Sequence, residues 1–474
     1  MSRSQQFYIN GEWVDSLDGE PFAVINPATE ETADTITLGG AADVNRAVAA
    51  ASDAFAAWRH TTVDERADLL ERAIAIYQRR SDEFAWAMTT EMGVPITYSR
   101  DVQAPCGDGH MQSTLDALRA HAFERPSDRG GSTLVDQPIG VCGLITPWNW
   151  PVNQVVVKVA PALAAGCTMV LKPSEQSPLS AHLFAEVLDE AGFPPGVFNL
   201  IHGDGAGVGT ALTTHPSVDM ISFTGSTRAG VAITKAAADT VKRVALELGG
   251  KSPNLLFADA DLDAAVAFSV DSCFSNSGQT CDAPTRLLVE RSVHNEVIDR
   301  IAAVAAATTV GDPATEGDHL GPLVSEQQFH RVQNLIEVGT DEPTTVVHGG
   351  AGRPDGFERG YFVRPTVFAN VENDFRIAQE EVFGPVLAVI PFDDEAEGIR
   401  IANDTPYGLG AFIQTGDPDR AARVARRLDA GNVSINGAAY DYDVPFGGVK
   451  QSGNGRENGA LGLEEYLETK AITI

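Results

Sequence analysis

Apolar and polar positions follow two different rhythms along this chain. From 42 to 92, Ala, Leu, Ile and Phe recur at three- and four-residue intervals with charges between them. That spacing predicts amphipathic helices over Ala42 to Trp58, Val63 to Arg80 and Asp82 to Met92. A strand-like opening, Gln6 to Val14, and a turn-rich segment through Asn26-Pro27 come first. Glu124 to Pro138, with Gly130-Gly131 at its centre, predicts a polar hairpin. From Gly140 the rhythm becomes strand, loop, helix, repeated. Its apolar runs are Val141 to Thr146, Cys167 to Leu171, Phe198 to Ile201, Met220 to Phe223 and Val244 to Glu247, and Leu179 to Ala191 reads as a helix among them. Further along, Ser292 to Thr309 and Glu326 to Val338 predict helices around a turn at Gly311-Asp312-Pro313. Phe362 to Phe368 and Val386 to Phe392 predict strands, and the segment Leu463 to Ile474 ends in an alternating strand pattern.

Apolar strands alternating with helices imply an α/β protein with a parallel sheet covered on both faces. Ligands of such sheets bind beyond the carboxyl ends of the strands, and the polar motifs of 140–251 all fall there. The turn Gly225 to Gly230 leads into a helix whose free amides can face a phosphate, although its spacing departs from Gly-x-Gly-x-x-Gly. Lys172 and Glu175 follow a strand, where a cation and a carboxylate can hold ribose hydroxyls. Asn149, between prolines and tryptophans, is a neutral donor on a stiff loop and suits an oxyanion. Glu247 precedes two glycines, which leave room for water to approach a general base. Cys281 ends the small, polar stretch Phe274-Ser275-Asn276-Ser277-Gly278-Gln279-Thr280, a setting for a nucleophilic thiol rather than a core cysteine.

At 474 residues the chain is long enough for two or three domains. Its net charge of −31 argues against nucleic acid and anionic membrane as partners, and reads as a solvated surface suited to a salt-rich cell. The 5 cysteines form no Cys-x-x-Cys pair, so neither a disulfide framework nor a zinc site is expected, and no metal. No apolar run is long enough to span a membrane, and Met1 to Gln6 lacks the apolar core of a secretory signal; a soluble, cytoplasmic protein is expected.

Pro147-Trp148-Asn149-Trp150-Pro151, Lys172-Pro173-Ser174-Glu175, Phe223-Thr224-Gly225-Ser226-Thr227, Glu247-Leu248-Gly249-Gly250-Lys251, Gly278-Gln279-Thr280-Cys281, Glu380-Glu381-Val382-Phe383-Gly384-Pro385 and Pro445-Phe446-Gly447-Gly448-Val449-Lys450 stand in this order. Over essentially its whole length the chain resembles the NAD(P)-dependent aldehyde dehydrogenases. The resemblance implies Cys281 as nucleophile, Asn149 and the Cys281 amide as oxyanion hole, and Glu247 as the base for water. Lys158 and Glu457 match positions linked to proton transfer. NAD, with NADP possible, would lie against Thr146, Trp148, Lys172, Ser174, Glu175, Gly225, Ser226, Gly249, Glu381 and Phe383. Glu175 favours NAD by repelling a 2′-phosphate. Trp150, Gln154, Val157, Thr280, Asp282, Tyr440 and Phe446 would wall the aldehyde channel.

The resemblance further implies a Rossmann-type cofactor domain over 1–120 and 139–249, a catalytic α/β domain over 250–446, and a small β unit over 121–138 and 463–474 that builds a homodimer or homotetramer. The reaction expected is oxidation of an aldehyde to its acid through a thiohemiacetal and a thioester, with a neutral aliphatic or aromatic aldehyde as substrate. A cationic aldehyde or an oxo-acid semialdehyde is the alternative, because Asp282, Asp441 and Asp443 face either the channel or solvent. Outside this class stand a thiol esterase and a noncatalytic dinucleotide-binding protein. The esterase lacks a recognisable cysteine–histidine pair among the 10 histidines.

Overall fold

The computed structural model describes residues 3–473; Met1 and Ser2, of the stretch read for a secretory signal, and Ile474, the end of the expected closing strand, lie outside the described residues. Two large sheets organise the chain. The first has eight strands in the order Gly453–Asn454, Arg243–Glu247, Met220–Thr224, Val141–Ile145, Thr168–Lys172, Phe198–Leu200, Phe7–Ile9 and Glu12–Val14. Its five central strands are parallel, and the strands at both edges pair antiparallel. Strand order reverses where Val141–Ile145 meets Met220–Thr224, which opens a crevice beyond their carboxyl ends.

The second sheet has seven strands: Thr345–His348, Thr366–Ala369, Val386–Phe392, Arg286–Glu290, Pro253–Leu256, Gly410–Gln414 and Asn432–Ile435. All its pairings are parallel except that of Thr345–His348. A third sheet joins Leu467–Thr473 to Ser132–Pro138 and Glu124–Pro126. Residues 468–473 of its edge strand are exposed.

The helices form for local reasons that are mostly visible. Val63–Arg79 starts at a capping box, where the Glu65 amide donates to Thr62 Oγ1 over 3.2 Å and the Thr62 amide to Glu65 Oε2 over 2.7 Å. Two long helices escape the periodicity reading. Pro151–Ala165 is buried at every position but Asn153, so no polar face marks it, and Ala104–Ala120 carries Pro105, Gly107 and Gly109. Three expected elements are corrected. Glu20–Asn26 is a strand paired with Glu31–Leu38 rather than turns, the strand expected from Phe362 starts only at Thr366, and the closing strand starts at Leu467 after the helix Gly459–Glu464. No helix among the described residues is long and apolar enough to cross a membrane.

Arg286, fully buried at the start of its strand, ties the second sheet to its surroundings. Its guanidinium donates to Lys251 O (2.9 Å), Ile401 O (3.0 Å), Ala402 O (2.8 Å) and Asn373 Oδ1 (2.8 Å), two of them carbonyls at the end of helix Glu395–Asn403. Arg286→Met leaves these buried acceptors unpaired. It should lower the unfolding free energy by about 3 kcal/mol in denaturant titration.

Candidate active site

The loop carrying Cys281 returns from helix Leu262–Phe274 toward the start of strand Arg286–Glu290, and there it meets the carboxyl edge of the first sheet. Three successive residues adopt left-handed backbone: Asn276 (φ 53°), Ser277 (φ 54°) and Gly278 (φ 70°). A Cβ at Gly278 would lie 2.1 Å from the Gly384 carbonyl, so glycine is required both by conformation and by contact. Buried hydrogen bonds hold the loop: Asn276 Nδ2 donates to Asn149 O (2.8 Å), Asn149 Nδ2 to Gln279 O (3.0 Å), and the Val324 amide to Gln279 Oε1 (3.0 Å). Trp150 Nε1 donates to Thr280 Oγ1 over 3.1 Å.

Cys281 opens onto a cavity of about 220 Å³. All the residues expected to wall a channel line it. So do Val102, Cys106, Asn153, Tyr442 and Asn458, which the sequence reading missed; Cys106 and Asn153 lie on the two overlooked helices, and Val102 on the π-turn Ser99–Gln103 that leads into the first of them. Asp282 faces this cavity, whereas Asp441 and Asp443 are exposed and bonded to each other in a turn. Gln154 Oε1 is buried without a partner.

Lys158 and Glu457 form a buried ion pair. Glu247 lies beside them on a second cavity of about 10 Å³, room for about one water. Both its carboxylate oxygens are buried and unpartnered. Burial, and after it the charge of Glu457, pushes this carboxyl well above the usual carboxylate range. Burial and the charges of Asp282, Glu247, Glu381 and Glu457 push the Cys281 thiol well above its ordinary 9.0.

The glycines after Glu247 also admit two close contacts. A Cβ at Gly249 would sit 2.3 Å from Glu381 Oε2, and one at Gly250 would sit 2.6 Å from Cys281 O. The pair lets one turn touch both the Glu381 carboxylate and the nucleophile's backbone, and the Gly250 amide donates to Glu381 Oε1 over 3.2 Å.

At the strand-order reversal, Thr146 Oγ1 and Thr224 Oγ1 are buried and unpartnered. Ser226 caps helix Thr227–Ala237 there by accepting from the Ala229 amide, with Gly225 just before it. Lys172 Nζ is held by Gly203 O (2.6 Å) and Pro173 O (2.7 Å), with Glu175 Oε2 3.4 Å away and Ser174 buried between them in sequence. Trp148 and Phe383 meet edge to face at 5.3 Å across the two sheets' loops.

A family model described as the aldehyde dehydrogenase family matches residues 13–472. The chain belongs to the aldehyde dehydrogenase family. Among its relatives, a 3-succinoylsemialdehyde-pyridine dehydrogenase from a Pseudomonas species is 51% identical over 469 residues, covering 99% of this chain and 98% of that one. A crystal structure of a Bartonella henselae aldehyde dehydrogenase superposes with TM-score 0.98 at 49% identity, covering 99% of each chain. A Pseudomonas syringae aldehyde dehydrogenase C variant, solved with NAD+ and octanal, matches at TM-score 0.98 and 51% identity, covering 99% of this chain and 97% of that one.

In this aldehyde dehydrogenase burial, and after it the surrounding negative charge, holds the proton of the Cys281 thiol more tightly than an ordinary thiol does. Alkylation of Cys281 by iodoacetamide should therefore keep accelerating as pH rises beyond the ordinary thiol value of 9.0. Asp282→Asn removes the charge that acts most strongly on the thiol and should move that acceleration to lower pH, read by mass spectrometry of the labelled peptide.

Proposed function

We propose that this chain oxidises an uncharged aldehyde with an aliphatic or aromatic body to its carboxylic acid, with NAD+ as acceptor. The observation that carries the reading is the convergence of Cys281, Asn149 and Glu247 on the loop where the two sheets meet. The residues beside the crevice fit a dinucleotide. The orphaned hydroxyls of Thr146 and Thr224 and the amides opening helix Thr227–Ala237 suit a pyrophosphate. Lys172, Ser174 and Glu175 border the place for the adenosine ribose. Glu381, seated on Gly249, has a free oxygen for a ribose hydroxyl, and the Trp148–Phe383 pair would flank the nicotinamide. The structure of the aldehyde dehydrogenase C variant was solved with NAD+, which supports the same cofactor here.

When bound, the nicotinamide ring accepts the hydride released from the substrate carbon. The chain's own residues do the rest. Cys281 Sγ adds to the aldehyde carbonyl after giving up its proton, for which the strongly basic, unpaired Glu247 is the nearby acceptor. One Asn149 N–H is committed to Gln279 O, which fixes the amide and leaves the second N–H, with the Cys281 backbone amide, for the oxyanion. Once the Lys158–Glu457 pair beside its small cavity has carried that first proton away, Glu247 is free to deprotonate the water that hydrolyses the acyl thioester.

Substrate charge follows from the cavity. Among the described residues that line it none is lysine or arginine, while Asp282 opens onto it beside Trp150, Tyr440 and Phe446. This disfavours oxo-acid anions. The Asp282 carboxylate among rings favours a cationic aldehyde as the second reading. The octanal bound by aldehyde dehydrogenase C supports an uncharged one. All 5 cysteines are free, which fits a cytoplasmic setting, and the exposed edge strand Leu467–Thr473 supports self-association as a homodimer or homotetramer.

Formation of reduced nicotinamide, followed by absorbance, tests this reading. Cys281→Ala should abolish it, Asn149→Ala should slow it on the order of a hundred- to a thousandfold, and Glu247→Gln, which removes both the acceptor of the thiol proton and the base for water, should give a slowed single burst of reduced cofactor and then stall. Asp282→Asn should raise kcat/KM for an anionic aldehyde, relative to a neutral one of equal length, by roughly tenfold. Full turnover by Cys281→Ala would remove the reading.

Burial raises the Glu381 carboxyl to about 7. If only its ionised form accepts well from a ribose hydroxyl, the Kd for NAD+ should fall as pH rises through that value. Glu381→Gln should flatten the dependence, measured by titration calorimetry.

A further inference from the structure

Gln103 lies far from the reacting atoms in sequence and carries none of the motifs, yet it is 1% exposed and donates from Nε2 to Asn276 Oδ1 over 3.0 Å. We propose that Gln103 is a positioning residue for the oxyanion hole, acting through Asn276 to fix Asn149 against the loop of Cys281. The proposal rests on the reading of Asn149 as oxyanion donor.

Three features of the structure converge on it. First, the bond orients the Asn276 amide. With Oδ1 engaged by Gln103, the Nδ2 end of Asn276 must point the other way, and there it donates both to Asn149 O (2.8 Å) and to Gln279 O (3.2 Å). Gln279 O is the same acceptor that receives Asn149 Nδ2 (3.0 Å). Gln103 thus governs the polarity of the junction where the oxyanion donor and the nucleophile's loop are tied together. A reversed Asn276 amide would set its oxygen against two carbonyl oxygens.

Second, the backbone around Gln103 is shaped to deliver it. Residues Ser99–Gln103 form a π-turn leading into helix Ala104–Ala120. Such a turn inserts one extra residue and changes which side chains face inward, and it recurs at functional sites. Here Val102 and Cys106 line the substrate cavity while Gln103 reaches Asn276 instead. Third, Gln103 Oε1 is buried with no partner. A buried acceptor left unpaired costs free energy, so a residue needed only to fill space would be better served by Leu or Met. The retained amide is explained by its donor.

An oxyanion donor works because it is preorganised, and small displacements of a catalytic group cost rate steeply. Gln103→Met keeps the volume and removes the donor. It should lower kcat by on the order of tenfold to a hundredfold with KM nearly unchanged. Alkylation of Cys281 by iodoacetamide, which forms no oxyanion, should keep its wild-type rate. In an Asn149→Ala background the same substitution should cost almost nothing further, because the group it positions is gone.

Equal losses in both backgrounds, alkylation slowed in step with turnover, or undiminished kcat in Gln103→Met would each overturn the proposal. Should that variant not fold, Gln103→Glu supplies the second test. Its carboxyl donates to Asn276 only when protonated, so its rate relative to wild type should fall as pH rises, and a flat ratio would overturn the proposal. Undiminished turnover in Asn149→Ala alone would instead remove the oxyanion reading on which the proposal stands.

Discussion

A run of three left-handed residues cannot hold itself in place. Asn276, Ser277 and Gly278 sit in a region where L-residues are disfavoured, and only Gly278 occupies it freely. What stabilises the run is the set of buried amide bonds that reaches it from Asn149 on one sheet's loop and Gln103 on a helix, together with the close seat of Gly278 on Gly384. Those contacts come from segments belonging to different layers of the molecule. Cys281 therefore acquires its position only when the layers have assembled, and the cleft and the loop are one structure.

Charge is arranged around that loop in a way that would be costly elsewhere. Glu247, Glu381 and Asp282 are all pushed up by burial, and the thiol they surround is pushed up with them. A like-charged group of acids prefers to hold protons. Cys281 and Glu247 both hold their protons more tightly than free groups would, so the ionised forms on which the proposed reaction depends grow as pH rises. Lys158 supplies the compensating cation, already committed to Glu457.

Much of this was legible in the chain itself, because the strand–loop–helix rhythm and the polar motifs at strand ends are local. The five central strands of the first sheet and the helix Leu179–Ala191 are written in runs of apolar residues bounded by turn residues. Helix Pro151–Ala165 was hidden by its depth, since a helix buried all round has no amphipathic signal. The pairing of Gly249 with Glu381 and of Gly250 with Cys281 joins positions far apart in sequence, and nothing local foretells it. Gln103 was silent for the same reason. Its partner is 173 residues away, and a glutamine in a helix ordinarily signifies only a solvated surface.

Past Ile435, at the edge of the second sheet, the chain crosses the mouth of the cavity and rejoins the first sheet at Gly453–Asn454. Tyr440, Tyr442 and Phe446 belong to this crossing. It is fastened at its far end, where the Phe446 amide donates to Glu457 O over 2.9 Å and Asn432 Nδ2 donates to Pro445 O over 2.7 Å. The wall of the cavity is thus a span between two piers, steadied midway where Ser113 Oγ donates to Tyr442 O over 2.9 Å, and with none of residues 436–445 buried it contributes little to the cores on either side. Selection can rewrite such a span, in length or in side chains, without disturbing the piers. That gives one scaffold a cheap route to many aldehydes.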